Sequence, residues 1–246
     1  MKAPENHEDL LKKQKDLLKK QKGIYVILPA YNEEKTIKDV MEELVDLGVN
    51  LLVVDDGSTD HTYPVSRGFL EKYPSQVSLY KHPINRGLGG ALRTGIEAAL
   101  QKKASIIVTF DADGQHHSLD IIPLCLPIIK GDADVVIGKR NFKEMPFRKK
   151  FGNVVMNIIT LIFYGKNVED SQSGLRAFNR KAASLMELHS RDYGVSSEIV
   201  GEVSRHHLQL MEVPITTIYT DYSLSKGTNT KVGLKILAKL IRDVFK

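Results

Sequence analysis

In IIVTFDADGQH, residues 106–116, an apolar run, Ile106–Phe110, breaks off into Asp111-Ala112-Asp113-Gly114-Gln115-His116. A short run of this kind predicts a strand buried on both faces of a sheet, with a polar cluster at its end. The pattern recurs upstream. Ile24–Leu28 runs into Pro29-Ala30-Tyr31-Asn32-Glu33, and Leu51–Val54 into Asp55-Asp56-Gly57-Ser58-Thr59-Asp60. Val77–Tyr80 is followed by Asn85-Arg86-Gly87-Leu88-Gly89-Gly90, and Val135–Ile137 reads as a further strand. Helical periodicity falls between these runs, near Glu34–Leu47, Thr62–Lys72, Leu88–Lys102 and Leu119–Ile129. Alternation of this kind predicts an α/β fold, a mostly parallel Rossmann-like sheet with helices on both faces. Such sheets bind ligands beyond the carboxyl ends of their strands, where every polar cluster falls.

Asp111 and Asp113 lie two residues apart, so an extended backbone can aim both carboxylates the same way. With Gln115 they make a short set of hard oxygen donors, which suits Mg2+ or Mn2+ completing its shell with water and substrate phosphates. The competing reading is that these aspartates only end a strand and cap the next helix. Asp55 and Asp56 could accept hydrogen bonds from a nucleobase or ribose. Gly87-Leu88-Gly89-Gly90 lacks the Lys-Ser/Thr of a P-loop and reads as a helix start open to close approach by a ligand. Asp170-Ser171-Gln172-Ser173-Gly174-Leu175-Arg176 is a second polar group, flanked in sequence by the cations Arg140, Arg148, Lys149 and Lys150. A diphosphate and a second phosphate would both need such cations. Lys149 and Lys150 read equally well as a solvated loop, and His116 and His117 lack zinc spacing.

The 246 residues carry one cysteine and no tryptophan, and 42% are hydrophobic. That composition excludes a disordered chain and a disulfide scaffold, and the single thiol favours a reducing compartment. The apolar run Val154–Tyr164 is interrupted by Asn157 and Thr160 and is too short to span a bilayer. The net charge of +5 is unevenly placed: residues 1–22 hold seven lysines against four acids, and residues 226–246 hold six Lys or Arg against Asp243. The body between is mildly acidic. Nucleic acid is not expected as a partner; basic ends fit an anionic membrane surface. DLLKKQK occurs twice in succession, at 9–15 and 16–22, stacking Leu10 with Leu17 and Leu11 with Leu18 on a predicted helix. At the other end, Leu234, Leu237, Leu240, Ile241, Val244 and Phe245 face away from Lys235, Lys239, Arg242 and Lys246. Such a helix can lie in a bilayer interface or pack on its own domain.

PAYNE at 29–33, VVDDGSTD at 53–60, NRGLGGA at 85–91, DADGQH at 111–116 and DSQSGLRAF at 170–178 occur in one order. In that order they resemble the family 2 glycosyltransferases of GT-A fold, and within these the polyprenyl-phosphate and dolichyl-phosphate sugar synthases. The resemblance covers residues 23–225, leaving 1–22 as a basic tail and 226–246 as a basic amphipathic helix. It implies that Pro29, Tyr31, Glu33 and Asp56 line the nucleotide pocket, and that Asp111, Asp113 and Gln115 hold Mg2+ or Mn2+ against the donor diphosphate. Lys226 would close over that diphosphate. Arg140 and Arg148 are similar to arginines that receive the acceptor phosphate, Ser173 and Arg176 would frame the acceptor side, and Glu198 matches a family glutamate. Lys139 stands where a Ser often precedes the arginine. Gly114 stands where mannose synthases commonly have Leu, which shifts the expected donor from GDP-mannose toward a UDP-sugar.

The implied reaction is inverting transfer of a hexose or N-acetylhexosamine from a nucleotide sugar to a polyprenyl phosphate, in the service of protein glycosylation. The expected location is the cytoplasmic face of a membrane, held peripherally through the termini or by a membrane-embedded partner protein. Two alternatives stand beside it: transfer to a hydroxyl on a soluble, protein-linked or glycan acceptor, and a non-catalytic nucleotide-sugar-binding subunit. The absent tryptophan excludes the QxxRW motif of processive synthases.

Overall fold

A computed structural model describes Leu18, residues 21–143, Met145, residues 147–191 and residues 194–218, with the side chains at 147–149 outside that description. The chain runs β1 (Ile24–Ala30), α1 (Ile37–Leu47), β2 (Asn50–Asp55), α2 (Thr62–Lys72), β3 (Val77–Lys81), α3 (Leu88–Gln101) and β4 (Ile106–Thr109). A 3-10 turn (Ser118–Asp120) leads into α4 (Ile121–Lys130), then β5 (Val135–Lys139), α5 (Phe147–Tyr164), β6 (Arg176–Asn179), α6 (Arg180–Leu185), α7 (Gly194–Arg205) and β7 (Leu210–Pro214).

Alternating side chains explain why the strands read as continuous apolar runs. Val26 and Leu28 of β1 point into one buried cluster with α1 and α4, and Ile27 between them points into another with α3, α6 and α7. Leu51 and Val53 of β2 divide from Leu52 and Val54 in the same way, so both faces are covered by helices. Leu18 is buried in the first cluster, so packing reaches back into the basic tail. The rest of the repeat, residues 1–17, 19 and 20, and the predicted C-terminal helix at 226–246 lie outside the described residues.

The seven-stranded sheet has the order β3-β2-β1-β4-β6-β5-β7. β6 is antiparallel to both of its neighbours, and the other pairings are parallel. This one reversal shapes the site. Because β6 runs backwards, its first residue Arg176 pairs with Thr109 at the end of β4 and with Ile137 near the end of β5. The polar segment 170–175 is thereby delivered to the edge where β1, β2, β4 and β5 terminate.

Strand and helix expectations up to Ile137 correspond to observed elements, with shifts of a few residues at the ends. α1 starts at Ile37 rather than Glu34, because the N–H groups of residues 32–34 are bound to the next loop and a turn closed on Glu33 O leads into the helix. The run Val154–Tyr164 is the second half of α5, and no described helix is long and apolar enough to cross a membrane.

Candidate active site

Asp111 lies just beyond β4, its Oδ2 3.2 Å from Nε2 of the buried His116. Burial pushes its carboxyl up, but the His116 hydrogen bond and the charges of His116, Arg176 and Arg140 outweigh this and hold it below the ordinary carboxylate range. Asp113 moves the opposite way: burial and the neighbouring Asp111 charge push it up, against hydrogen bonds from Gln115. Gln115 donates both its backbone N–H (3.0 Å) and its side-chain amide to Asp113. Two crowded carboxylates, one resisting ionisation because of burial and the charge of the other, form an electrostatic arrangement that a cation relieves. Among the described residues there is no cluster of three or more His, Cys, Asp or Glu able to hold a metal. Asp111 and Asp113 are therefore a sparse, all-oxygen donor pair, and they fit a hard divalent ion that takes its remaining ligands from water and phosphate. Cys125 is no competing centre, being buried with its thiol pushed up to about 12 by desolvation.

Gly174 lies directly against this pair. A Cβ there would stand 1.9 Å from Asp111 Oδ2 and 2.4 Å from its Cγ. The Thr109 hydroxyl donates to Gly174 O (2.7 Å) and Gly138 N to Leu175 O (2.9 Å), so the backbone is held on both sides.

The expected nucleotide residues converge on the ends of β1 and β2. Pro29 is half-buried within β1, Tyr31 is exposed, and Glu33 is half-buried with its backbone N–H on Thr62 Oγ1 (2.8 Å). The two loops are bound together. Asn32 donates its N–H to Ser58 Oγ and accepts from Thr59 N, while Asp60 accepts from Glu34 N and Thr62 N. Thr36 reaches across to donate to Ala112 O (2.7 Å), coupling this loop to the carboxylate pair.

Asp56 is buried, and its acceptors are taken by the chain. Its Oδ1 faces His82 Nδ1 (2.6 Å) and Arg86 N (2.8 Å), and its Oδ2 accepts from Gly87 N (2.8 Å). His82 Nε2 in turn faces Thr94 Oγ1 at 2.9 Å. Asp56 thus acts on the glycine-rich turn that opens α3. Nothing in the sequence pointed to His82, which follows β3 without any motif.

On the far side, Asp170 is fully buried and receives Arg140 through Nε (2.7 Å), Nη2 (2.8 Å) and the backbone N–H (3.1 Å). Burial raises this carboxyl, and the Arg140 and Asn153 hydrogen bonds with the Arg140 charge bring it below its ordinary value. Asn153 Nδ2 donates to Asp170 Oδ1 (2.8 Å), and Asn157 Oδ1 accepts from Ser171 N (3.0 Å) and Oγ (2.7 Å). The sequence shows Asn157 only as a break in the apolar run Val154–Tyr164 and gives Asn153 no role; their i, i+4 spacing is the available signal. Ser173 is buried with no partner for its hydroxyl among the described residues. Arg176, expected to frame the acceptor side, is enclosed at 1% exposure, with Nη2 on Ser171 O (3.2 Å) and no partner for Nε among the described residues. Burial pulls its guanidinium down to about 10, still charged at neutral pH, and its field falls on Asp111 and Asp170. The side chain of Arg148, and Lys226 altogether, lie outside the described residues.

Glu198 on α7 does not face the carboxylate pair. Its oxygens accept from His189 N (2.8 Å) and Ser190 N (2.9 Å), and this loop accepts Gly89 N at Arg191 O (2.8 Å). Arg191 Nη2 donates to Asn85 O (2.9 Å), so Glu198 supports the glycine-rich turn from behind. A Cβ on Gly89 would meet Ser190 O at 1.8 Å, which is why this contact needs glycine.

The sequence profile of Glycosyl transferase family 2 matches residues 25–185, from β1 through α6. The chain belongs to that family. This glycosyltransferase is 41% identical over 237 residues to the UDP-N-acetylglucosamine–dolichyl-phosphate N-acetylglucosaminyltransferase of Methanococcus voltae, covering 89% of this chain and 94% of that one. It is 26% identical over 217 residues to the polyprenol monophosphomannose synthase of Mycolicibacterium smegmatis, covering 84% and 82%. Among solved structures it is similar to the glucosyl-3-phosphoglycerate synthase of Mycobacterium tuberculosis, in complex with Mn2+, UDP and phosphoglyceric acid. The TM-score is 0.69 at 21% identity, over 98% of this chain and 84% of that one. The fold is that of the GT-A glycosyltransferases.

Proposed function

We propose that this glycosyltransferase moves a sugar from a UDP-linked donor to the phosphate of a polyprenyl (dolichyl) lipid, with inversion at the anomeric carbon. The observation carrying this reading is the 41% identity, along nearly the whole of both chains, to the dolichyl-phosphate N-acetylglucosaminyltransferase of M. voltae. N-acetylglucosamine is accordingly the first sugar to try.

Site chemistry supports the phosphate acceptor. An alcohol needs a general base to become nucleophilic, whereas a phosphate is already ionised at neutral pH. Of the carboxylates near this edge outside the 111/113 pair, Asp56, Asp60 and Asp170 accept hydrogen bonds from the chain itself as described. Their geometry holds loops rather than a substrate hydroxyl.

Asp111 and Asp113 would hold the divalent ion, which when bound neutralises charge developing on the departing diphosphate. Gln115 keeps Asp113 oriented, and Gly174 leaves Asp111 the room it needs. Tyr31, Pro29 and Glu33, with the turn held by Asp56, form the nucleotide side, and Lys226 covers the diphosphate. Arg140 and Arg148 present charge to the acceptor phosphate, and Asp170 keeps Arg140 aimed. Ser173 and Arg176 form the wall behind, where the Arg176 charge adds to the His116 contact in holding Asp111 below the ordinary carboxylate range. The catalytic body spans residues 23–225. It works from the cytoplasmic face of a membrane, its basic ends on anionic lipid and a membrane-embedded protein as a further anchor.

Incubation with Mn2+ or Mg2+, labelled UDP-N-acetylglucosamine, UDP-glucose or GDP-mannose, and a polyprenyl phosphate tests this reading. A chloroform-extractable labelled lipid from a UDP-sugar is expected. Label appearing only on soluble hydroxyl acceptors would overturn it.

A further inference from the structure

Helix α5 carries apolar side chains outward as well as inward, where Met156 and Ile159 are buried. Its polar side chains Asn153, Asn157 and Thr160 face inward, onto Asp170, Ser171 and Ser197. Its large apolar side chains Phe151, Val154, Ile158, Leu161 and Ile162 face out, with Phe151, Ile158 and Ile162 at 59%, 50% and 71% exposure. At 100° per residue these five share one arc of about 100°. A helix on a globular body normally keeps its outward face polar. The stripe is also concentrated: five of the nine large apolar side chains exposed among the described residues lie on this one helix.

The charge on α5 selects the occupant. The helix opens with Phe147-Arg148-Lys149-Lys150 and contains no Asp or Glu. Three cations at the positive end of a helix dipole are misplaced for helix stability and well placed for an anionic surface. An apolar face with cations and no acids describes a helix lying in a lipid interface.

We infer that the outer face of α5 is seated in an anionic lipid surface, so that the helix docking the enzyme is also the one holding Asp170, and through it Arg140, at the site. The inference deepens the reading of a lipid-phosphate acceptor and rests on it. A single rigid helix would then couple membrane contact to the acceptor side.

The full chain is sedimented with vesicles of phosphatidylglycerol and phosphatidylcholine in equal parts, and with vesicles of phosphatidylcholine alone. Transfer to a short, detergent-soluble polyprenyl phosphate and mass by light scattering are measured in parallel. The double variant Ile158→Gln/Ile162→Gln is expected to bind the mixed vesicles at least about tenfold more weakly, the size set by two apolar side chains no longer buried. Its transfer rate in detergent, mass and thermal melt should match the parent. Lys149→Gln/Lys150→Gln should lose the preference for anionic over neutral vesicles. Unchanged vesicle binding in the first variant overturns the inference, and so does a parent dimer that this variant converts to monomer, since a second copy would then cover the face. Binding that follows the variants while no polyprenyl phosphate accepts sugar would retain the docking face and discard the acceptor reading. Normal transfer with variant-insensitive binding would do the opposite.

Discussion

Gly174→Ala places one methyl group where the structure has no room for it. The new Cβ would lie 1.9 Å from Asp111 Oδ2 and 2.4 Å from Oδ1 and Cγ, where real Cβ contacts stay beyond 3.0 Å. Something must yield by about 1 Å, a displacement that costs reacting groups about 100-fold in rate. The backbone is not free to yield, because Thr109 Oγ1 binds Gly174 O and Gly138 N binds the adjoining Leu175 O. Asp111 is a side chain at the end of a strand, with a contact to His116, and is the softer partner. We therefore expect kcat to fall about 100-fold, about 2.7 kcal/mol in the barrier. The concentration of Mn2+ needed for half-maximal rate should rise, and stability should drop by about 1–3 kcal/mol as for other overpacked sites. Initial rates at saturating donor across a Mn2+ titration, with urea unfolding in parallel, measure all three. A variant with the parent's rate and Mn2+ dependence would refute the claim that Asp111 must stand where it does.

Asp113→Ala should abolish transfer while leaving the thermal melt near the parent's, and chelation followed by Mn2+ or Mg2+ should switch the parent off and on. Asp170→Asn leaves Arg140 without its buried carboxylate and should cost about 3 kcal/mol in urea unfolding at neutral pH. Because Asp170 has a lowered pKa, its contribution is fully present above the unfolded value of about 3.9 and fades as pH falls through the folded value; the variant's acid limb should be shallower. Glu198→Ala, which removes the acceptor of two loop N–H groups, should cost about 1–3 kcal/mol of stability and raise the KM for donor more than it lowers kcat. A kcat collapse at unchanged KM would place Glu198 in the chemistry instead of behind the glycine-rich turn.

The half of the fold carried by β1 to β5 was legible because both-face burial writes itself as apolar runs, each ending in a polar cluster. β6 was not. RAFN is four residues long, begins with a charged residue and ends with an amide, and its antiparallel direction follows from tertiary pairing that no local pattern encodes. That reversal is what brings residues 170–176 beside Asp111. The sequence could therefore show a second polar group but not its contact with the first. Asp111, Asp113 and Gln115 were legible as a unit because their partners are neighbours in the chain. Asp56 and Arg176 were legible as residues but not in their placement. Asp56 spends its oxygens on His82, Arg86 and Gly87 some 26 to 31 positions away, and Arg176 is buried at 1% exposure. Burial of a charged group depends on what packs over it, which the local sequence does not carry.

A phosphate, needing no base, receives the sugar in the reaction proposed above. Polyprenyl phosphate and the matching free polyprenol, offered side by side with Mn2+ and UDP-N-acetylglucosamine, test it most directly, with the product's anomeric configuration and its coupling to phosphorus read by NMR. Product is expected from the phosphate alone, phosphorus-linked and inverted relative to the donor. Comparable transfer to the free alcohol, or retained configuration, would contradict it.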